Sequence, residues 1–189
     1  MACLILLDET KKTLYFGNIG NSEVIVYKKN DTKEEGNNLL SKEPKVFLSK
    51  HRPKDIDNKK NEQNIIFNDK LYGVLNVNRG FGCFAYFDKD FSLFDNKLGD
   101  KTDISIYNLN DDDEFIFIGT ESIIECIDKQ QFGDLIKKKA KENGNNLTKT
   151  LNAIITNNIE YDFYNNDTEY GFDNITCILI EIKNNEKKN

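Results

Sequence analysis

The sequence predicts an α+β fold in which helices cover one face of antiparallel sheets. Three observations carry this: short β-branched and aromatic runs recur along most of the chain, two helical repeats of apolar residues follow them, and one last apolar run comes near the end. With 189 residues, 38% hydrophobic and 11% aromatic, the chain can build the core of one ordinary domain, expected over residues 1–183 with a polar tail at 184–189.

The strand-like runs fall at residues 3–7, 14–17, 23–27, 46–48, 84–87, 103–108, 114–119 and 175–182. Several alternate with period two or are continuously apolar, as strands with one or two covered faces do. The first helix is expected near 130–141, because Asp128 can cap it, Gln131 holds the capping-box position, and Phe132, Leu135, Ile136 and Ala140 share one face. A second is expected over 146–157, where Leu147, Leu151, Ile154 and Ile155 recur at helical spacing. Asparagine-rich clusters at 30–38, 55–64, 143–146, 157–166 and 184–189 read as surface loops. The acidic run from Asp111 to Glu114 reads as an exposed turn before a strand.

Lys and Arg number 26 against 32 Asp and Glu, a net charge of −6. That balance argues against nucleic acid as a partner, since phosphate binding by counterion release needs a basic face. No apolar run approaches the roughly 20 residues that span a bilayer, and the first residues carry no basic signal-peptide region. A cytoplasmic or nuclear location is therefore expected, without membrane contact. Cys3, Cys83, Cys126, Cys177 and the single His51 show no zinc-ligand spacing, so the cysteines read as buried free thiols.

Four segments then follow in a particular order: Gly17-Asn18-Ile19-Gly20-Asn21-Ser22, Leu75-Asn76-Val77-Asn78-Arg79-Gly80-Phe81-Gly82, the stretch from Phe115 to Glu125, and Gly171-Phe172-Asp173-Asn174-Ile175-Thr176. Together with Leu48-Ser49-Lys50-His51-Arg52-Pro53, this order resembles the metal-dependent serine/threonine protein phosphatases of type 2C. There the matching stretches read Ala-Asn-x-Gly-Asp-Ser, Leu-x-Val-Ser-Arg-Ala-Phe-Gly-Asp, Phe-Leu-Ile-Leu-Ala-x-Asp-Gly, Asp-Asn-x-Thr and Thr-x-Asp-His-Lys-Pro. The resemblance covers nearly the whole chain but only the C-terminal portion of the family domain. It implies part of a four-layer αββα sandwich lacking the family's first strands and two long helices.

It also implies the chemistry of two Mg²⁺ or Mn²⁺ ions that activate a shared water against a phosphoserine or phosphothreonine. Carried over residue by residue, Asp173 matches a metal ligand. Glu121 and Glu125 stand where two Asp ligands or neighbours should be, each one methylene longer, and Ser122 replaces a Gly. Asn21, between Gly20 and Ser22, exchanges a carboxylate for an amide. Cys83 replaces the Asp after Gly82, while Arg79 and Asn174 match. Arg79 reads as one half of a buried structural pair, and His51 as a structural loop histidine. The segment Asp-Gly-His-Gly and an upstream phosphate-gripping Arg are not in the sequence.

Three functions are compatible with these residues: a pseudophosphatase acting as a binding or scaffold module with weak or no metal binding, part of an active phosphatase whose other half lies elsewhere, and a structural subunit. A protein partner is expected on the face where the family's first layer would lie.

Overall fold

The computed structural model describes residues 2–29, 43–48, 51, 66–68, 70–71, 75–80, 102–124, 127–156 and 175–183. In chain order they form β1 (Ala2–Asp8), β2 (Thr13–Ile19), β3 (Glu23–Lys28), β4 (Lys45–Leu48), β5 (Ile66–Phe67), β6 (Lys70–Leu71), β7 (Asp103–Asn108), β8 (Asp113–Gly119), α1 (Glu121–Ile124), α2 (Lys129–Glu142), α3 (Leu147–Ile154) and β9 (Cys177–Glu181). The architecture is α+β, with antiparallel sheets ordered β1-β2-β7 and β4-β3-β8-β9 and a small β5-β6 hairpin. The expected strand at 84–87 lies outside the described residues. Contacts divide the chain into two compact units, Met1–Ser22 with Leu48–Asn108 and Glu23–Phe47 with Leu109–Asn189.

In the first unit, β1 and β2 form a hairpin whose turn is closed by the Asp8 carboxylate, which accepts from the Thr10 and Lys11 backbone N–H groups at 3.1 Å each. Lys12 supplies the left-handed residue at φ 49°. The register aligns Leu4, Gly17 and Ile104 in one row and Leu6, Tyr15 and Ile106 in the next, so these six share a face. Leu14 and Phe16 point the other way and are buried. At the polar end of the sheet, Thr13 Oγ1 donates to Asn108 Oδ1 at 3.0 Å.

In the second unit, the rows Ile25–Phe117–Leu179 and Tyr27–Phe115–Glu181 lie on one face of the four-stranded sheet. All three helices bury their apolar stripes there, with Ile123 and Ile124 from α1, Phe132, Ile136 and Ala140 from α2, and Ile154 from α3. Asp128 caps α2 as expected, accepting from Gln131 N–H at 2.8 Å. Asn146 caps α3 by accepting from Lys149 N–H at 3.0 Å. Between the helices, Gly144 and Asn145 both take φ 60°, a conformation that glycine and asparagine tolerate best. Buried Thr150 donates its hydroxyl to Asn146 O at 2.9 Å within α3 and reaches Lys139 O of α2 at 3.4 Å, which ties the two helices together.

Two close approaches set how near the helices come. A Cβ on Gly119 would meet Ile123 Cγ2 at 2.7 Å, and one on Gly133 would meet the Tyr27 ring at 2.5 Å. Only a bare backbone lets α1 and α2 sit this low on the sheet.

After the strand ends at Gly119, Thr120 O accepts from Ile123 and Ile124 N–H and winds Glu121–Ile124 into one helical turn. Three expectations need correction. Asp113 is fully buried, since β8 begins there and its carboxylate accepts from Asn110 N–H at 2.7 Å, leaving Asp111 and Asp112 as the turn. Cys3 and Cys177 are free but only half-buried, because each lies on a strand at the edge of its sheet. Finally, α3 stops at Ile154, and β9 starts at Cys177, two residues later than the apolar run suggests.

Candidate functional site

At one end of the four-stranded sheet, β8 runs into α1 beside the start of β9. Glu23, Gly119 and Cys177 form a single row there. Within the second unit the chain leaves β8 through Thr120 into Glu121 and enters β9 through Ile175 and Thr176. Thr120 N–H donates to Thr176 O at 3.1 Å, and Thr176 N–H to Thr120 Oγ1 at 3.3 Å. These bonds pin the start of α1 to the entry of β9.

Nearby in the second unit, buried Glu23 receives a hydrogen bond from Lys129 Nζ at 2.6 Å. Glu121 occupies the first turn of α1 and is half-buried. Asp173, Glu125, Gly82 and Asn174 lie outside the described residues.

The first unit builds a second cluster, from residues far apart in sequence. Gly20, at φ 110°, donates its N–H to His51 Nδ1 at 2.9 Å. That bond requires a lone pair on Nδ1, so the imidazole proton sits on Nε2, which donates to Asp103 Oδ2 at 2.9 Å. Arg79 Nη1 donates to Asp103 Oδ1, also at 2.9 Å. Its equally short approach to His51 Nε2 is then two donors converging on one carboxylate rather than a bond between them.

His51 is 3% exposed and its carbonyl accepts from Asn78 N–H at 2.8 Å, which anchors the Arg79 segment. Arg79 forms the expected pair, but that pair is part-exposed rather than buried, because Asp103 stands at the start of a strand with its carboxylate 45% accessible. Asn21 and Ser22 are buried, and the Asn18 side-chain amide donates to Ser22 O, closing the turn.

Sequence reading found His51 and Arg79 but missed Asp103. Its partners lie 52 and 24 residues away, and an Asp opening an alternating strand carries no mark of pairing.

Burial pushes the Cys3 and Cys177 thiols above their ordinary range, which makes them poor nucleophiles and poor metal ligands at neutral pH. Among the described residues no three His, Cys, Asp or Glu side chains converge to hold a metal ion. The described donors at family positions are an amide, Asn21, and one carboxylate, Glu121. Mg²⁺ demands six oxygens at about 2.0–2.1 Å, so these residues do not by themselves fit a two-ion centre.

The motif order, the sheets and the helix layer define a phosphatase-type α+β domain. A family profile for protein phosphatase 2C matches residues 1–167, and the chain belongs to that family. It is 28% identical over 178 residues to a probable protein phosphatase 2C 6 of Paramecium tetraurelia, a match covering 91% of this chain and 54% of the relative. Among solved structures, a sex-determining protein of C. elegans aligns with a TM-score of 0.66 at 14% identity, over 95% of this chain and 39% of the other. Serine-threonine phosphatase 2C from Toxoplasma gondii aligns with a TM-score of 0.59 at 15% identity, over 92% and 55%. At those identities the structures establish the fold alone. The chain spans about half the length of the curated relatives it matches. No described helix is long and apolar enough to cross a membrane.

Proposed function

We propose that this protein phosphatase 2C-type domain works as a binding or scaffold module whose catalytic chemistry is impaired. The observation that carries the reading is the way the motif side chains close on one another. Arg79, His51 and Asp103 satisfy each other and hold the Gly20 turn, so Arg79 is engaged in structure. The same turn presents Asn21, whose neutral amide cannot balance cation charge as a carboxylate does. Glu121, helical and followed by Ser122, offers one longer carboxylate arm. Each such loss in a two-metal site costs orders of magnitude in rate.

A second reading rests on length: because the matched relatives are about twice as long, an active site could be completed by polypeptide beyond these 189 residues. Mg²⁺ or Mn²⁺ would then be held by Asp173 with Glu121 or Glu125.

The two readings separate in a phosphopeptide turnover assay of the chain across a Mn²⁺ series, run alone and with the remaining portion of the Paramecium relative added. We expect no metal-dependent turnover above the Asp173→Ala control in either arm. Turnover in either arm that Asp173→Ala abolishes would overturn the impaired reading.

A further inference from the structure

The connection between α2 and α3 holds the chain's single Asn-Gly dipeptide, Asn143-Gly144. A side-chain amide is most open to attack by the next backbone nitrogen when that nitrogen belongs to glycine, because no Cβ shields it. The structure leaves the approach clear: Gly144 is exposed, and a Cβ there would meet nothing within 4 Å. Asn143 is also the C-cap of α2. Three donors meet there on one carbonyl, since Lys139 O accepts from Asn143 N–H at 3.0 Å, from Asn143 Nδ2 at 2.8 Å and from the Thr150 hydroxyl at 3.4 Å. Thr150 belongs to α3, so this oxygen is where one helix is tied to the next.

We propose that Asn143 is a deamidation site whose conversion unties α3 from α2. Gly144 N, its proton lost to water, attacks Asn143 Cγ; the new C–N bond closes a succinimide ring, the Cγ–Nδ2 bond breaks, and the nitrogen leaves as ammonia. Water then opens the ring at one of its two carbonyls, giving aspartate or, with the main chain rerouted through Cγ, isoaspartate. One water enters and one ammonium leaves, with a new carboxylate in place of the amide. Before attack, Gly144 N–H must leave Lys141 O, which it meets at 3.2 Å, and fraying of the last helical turn allows this. Either product removes the Nδ2 donor and sets a carboxylate against Lys139 O, at the negative end of the helix dipole. Isoaspartate also lengthens the main chain and so displaces Gly144 and Asn145 N–H from Lys141 O and Ala140 O. The hold on α3, which seats Ile154 in the core, is weakened. Asn21-Ser22, the chain's single Asn-Ser dipeptide, is buried in its turn and provides an internal control. This chemistry is independent of the catalytic reading.

The test ages the purified 189-residue chain at mildly alkaline pH over several weeks. Peptide mapping by mass spectrometry reads the conversion of amide to acid, and an isoaspartyl methyltransferase with labelled S-adenosylmethionine counts isoaspartate. Asn143 should convert about tenfold or more faster than Asn21. Asn143→Gln, which keeps an amide but would need a six-membered ring, should abolish the methylation at this site. Hydrogen exchange of the aged chain and of Asn143→Asp should show lost protection in α3 and the last turn of α2, with β3 and β8 unchanged. The Tm of Asn143→Asp should fall by about 2–4 °C. An Asn143 that stays intact over that period, or converts no faster than Asn21, would overturn the site. Conversion that leaves α3 protection intact would overturn the untying.

Discussion

The imidazole of His51 illustrates how a single side chain can set the geometry of a loop. It accepts from Gly20 on one nitrogen and donates to Asp103 on the other, so its tautomer is fixed by its surroundings. Replacing it with Ala leaves the Gly20 N–H without its acceptor and opens a cavity. His51→Ala should therefore lower unfolding free energy by about 2–3 kcal/mol in urea denaturation. His51→Gln, which keeps an acceptor and a donor, should lose less, and equal losses would show that only volume matters. Tyr27 presents the opposite case. Its hydroxyl is buried without a hydrogen-bond partner among the described residues, and burial, with Asp128 and then Glu23 nearby, pushes the phenol far above its ordinary value. A buried unpaired hydroxyl costs about 1–3 kcal/mol, so Tyr27→Phe should leave the midpoint of thermal unfolding unchanged or raise it. A clear drop would mean that the hydroxyl has a partner.

At the scale of elements, Gly133 in α2 sets two effects against each other. Helix propensity favours Ala over Gly by about 1 kcal/mol, but the new Cβ would lie 2.5 Å from Tyr27 Cδ1. Overpacking of this kind costs about 1–3 kcal/mol, and the clash is with a ring confined in the core. Gly133→Ala should destabilise the protein by chemical denaturation, and a gain in stability would show that α2 can lift freely. Elements whose shape follows from local pattern were legible in the sequence: β1, β3, β7 and β8 from their apolar runs, α2 from Asp128 and the Phe132–Ile136–Ala140 face. Those set by tertiary contact were not. One-turn α1 exists because Gly119 lets Ile123 descend onto the sheet, and the two-residue strands β5 and β6 are too short for any periodicity. The polarity of β7 was hidden as well, because alternation gives two faces without saying which one is covered.

For the chain as a whole, the family was legible because five short motifs keep their order, and order survives substitutions that blur each motif alone. The site was legible only in part. Arg79 and His51 announce themselves by motif, whereas the Asp103 that joins them is distant in sequence, and Asp173, Glu125, Gly82 and Asn174 fall outside the described residues. Net charge is also a property of the whole. At −6, with 32 acidic side chains against 26 basic ones, long-range electrostatics repel a polyanion. The chain should pass through heparin and DNA columns unretained at about 0.15 M salt, where the Debye length is about 8 Å. Retention that declines with added salt would reveal a basic patch formed by folding.

The contact between Gly133 and Tyr27 also has a kinetic side. An aromatic ring that rests against helix backbone cannot turn over in place, because a half-rotation sweeps its edge through the space that α2 occupies. Each flip must wait for the helix to rise from the sheet. The two ring edges of Tyr27 should therefore give separate resonances in solution, and the temperature at which they merge would time the breathing of the helical layer.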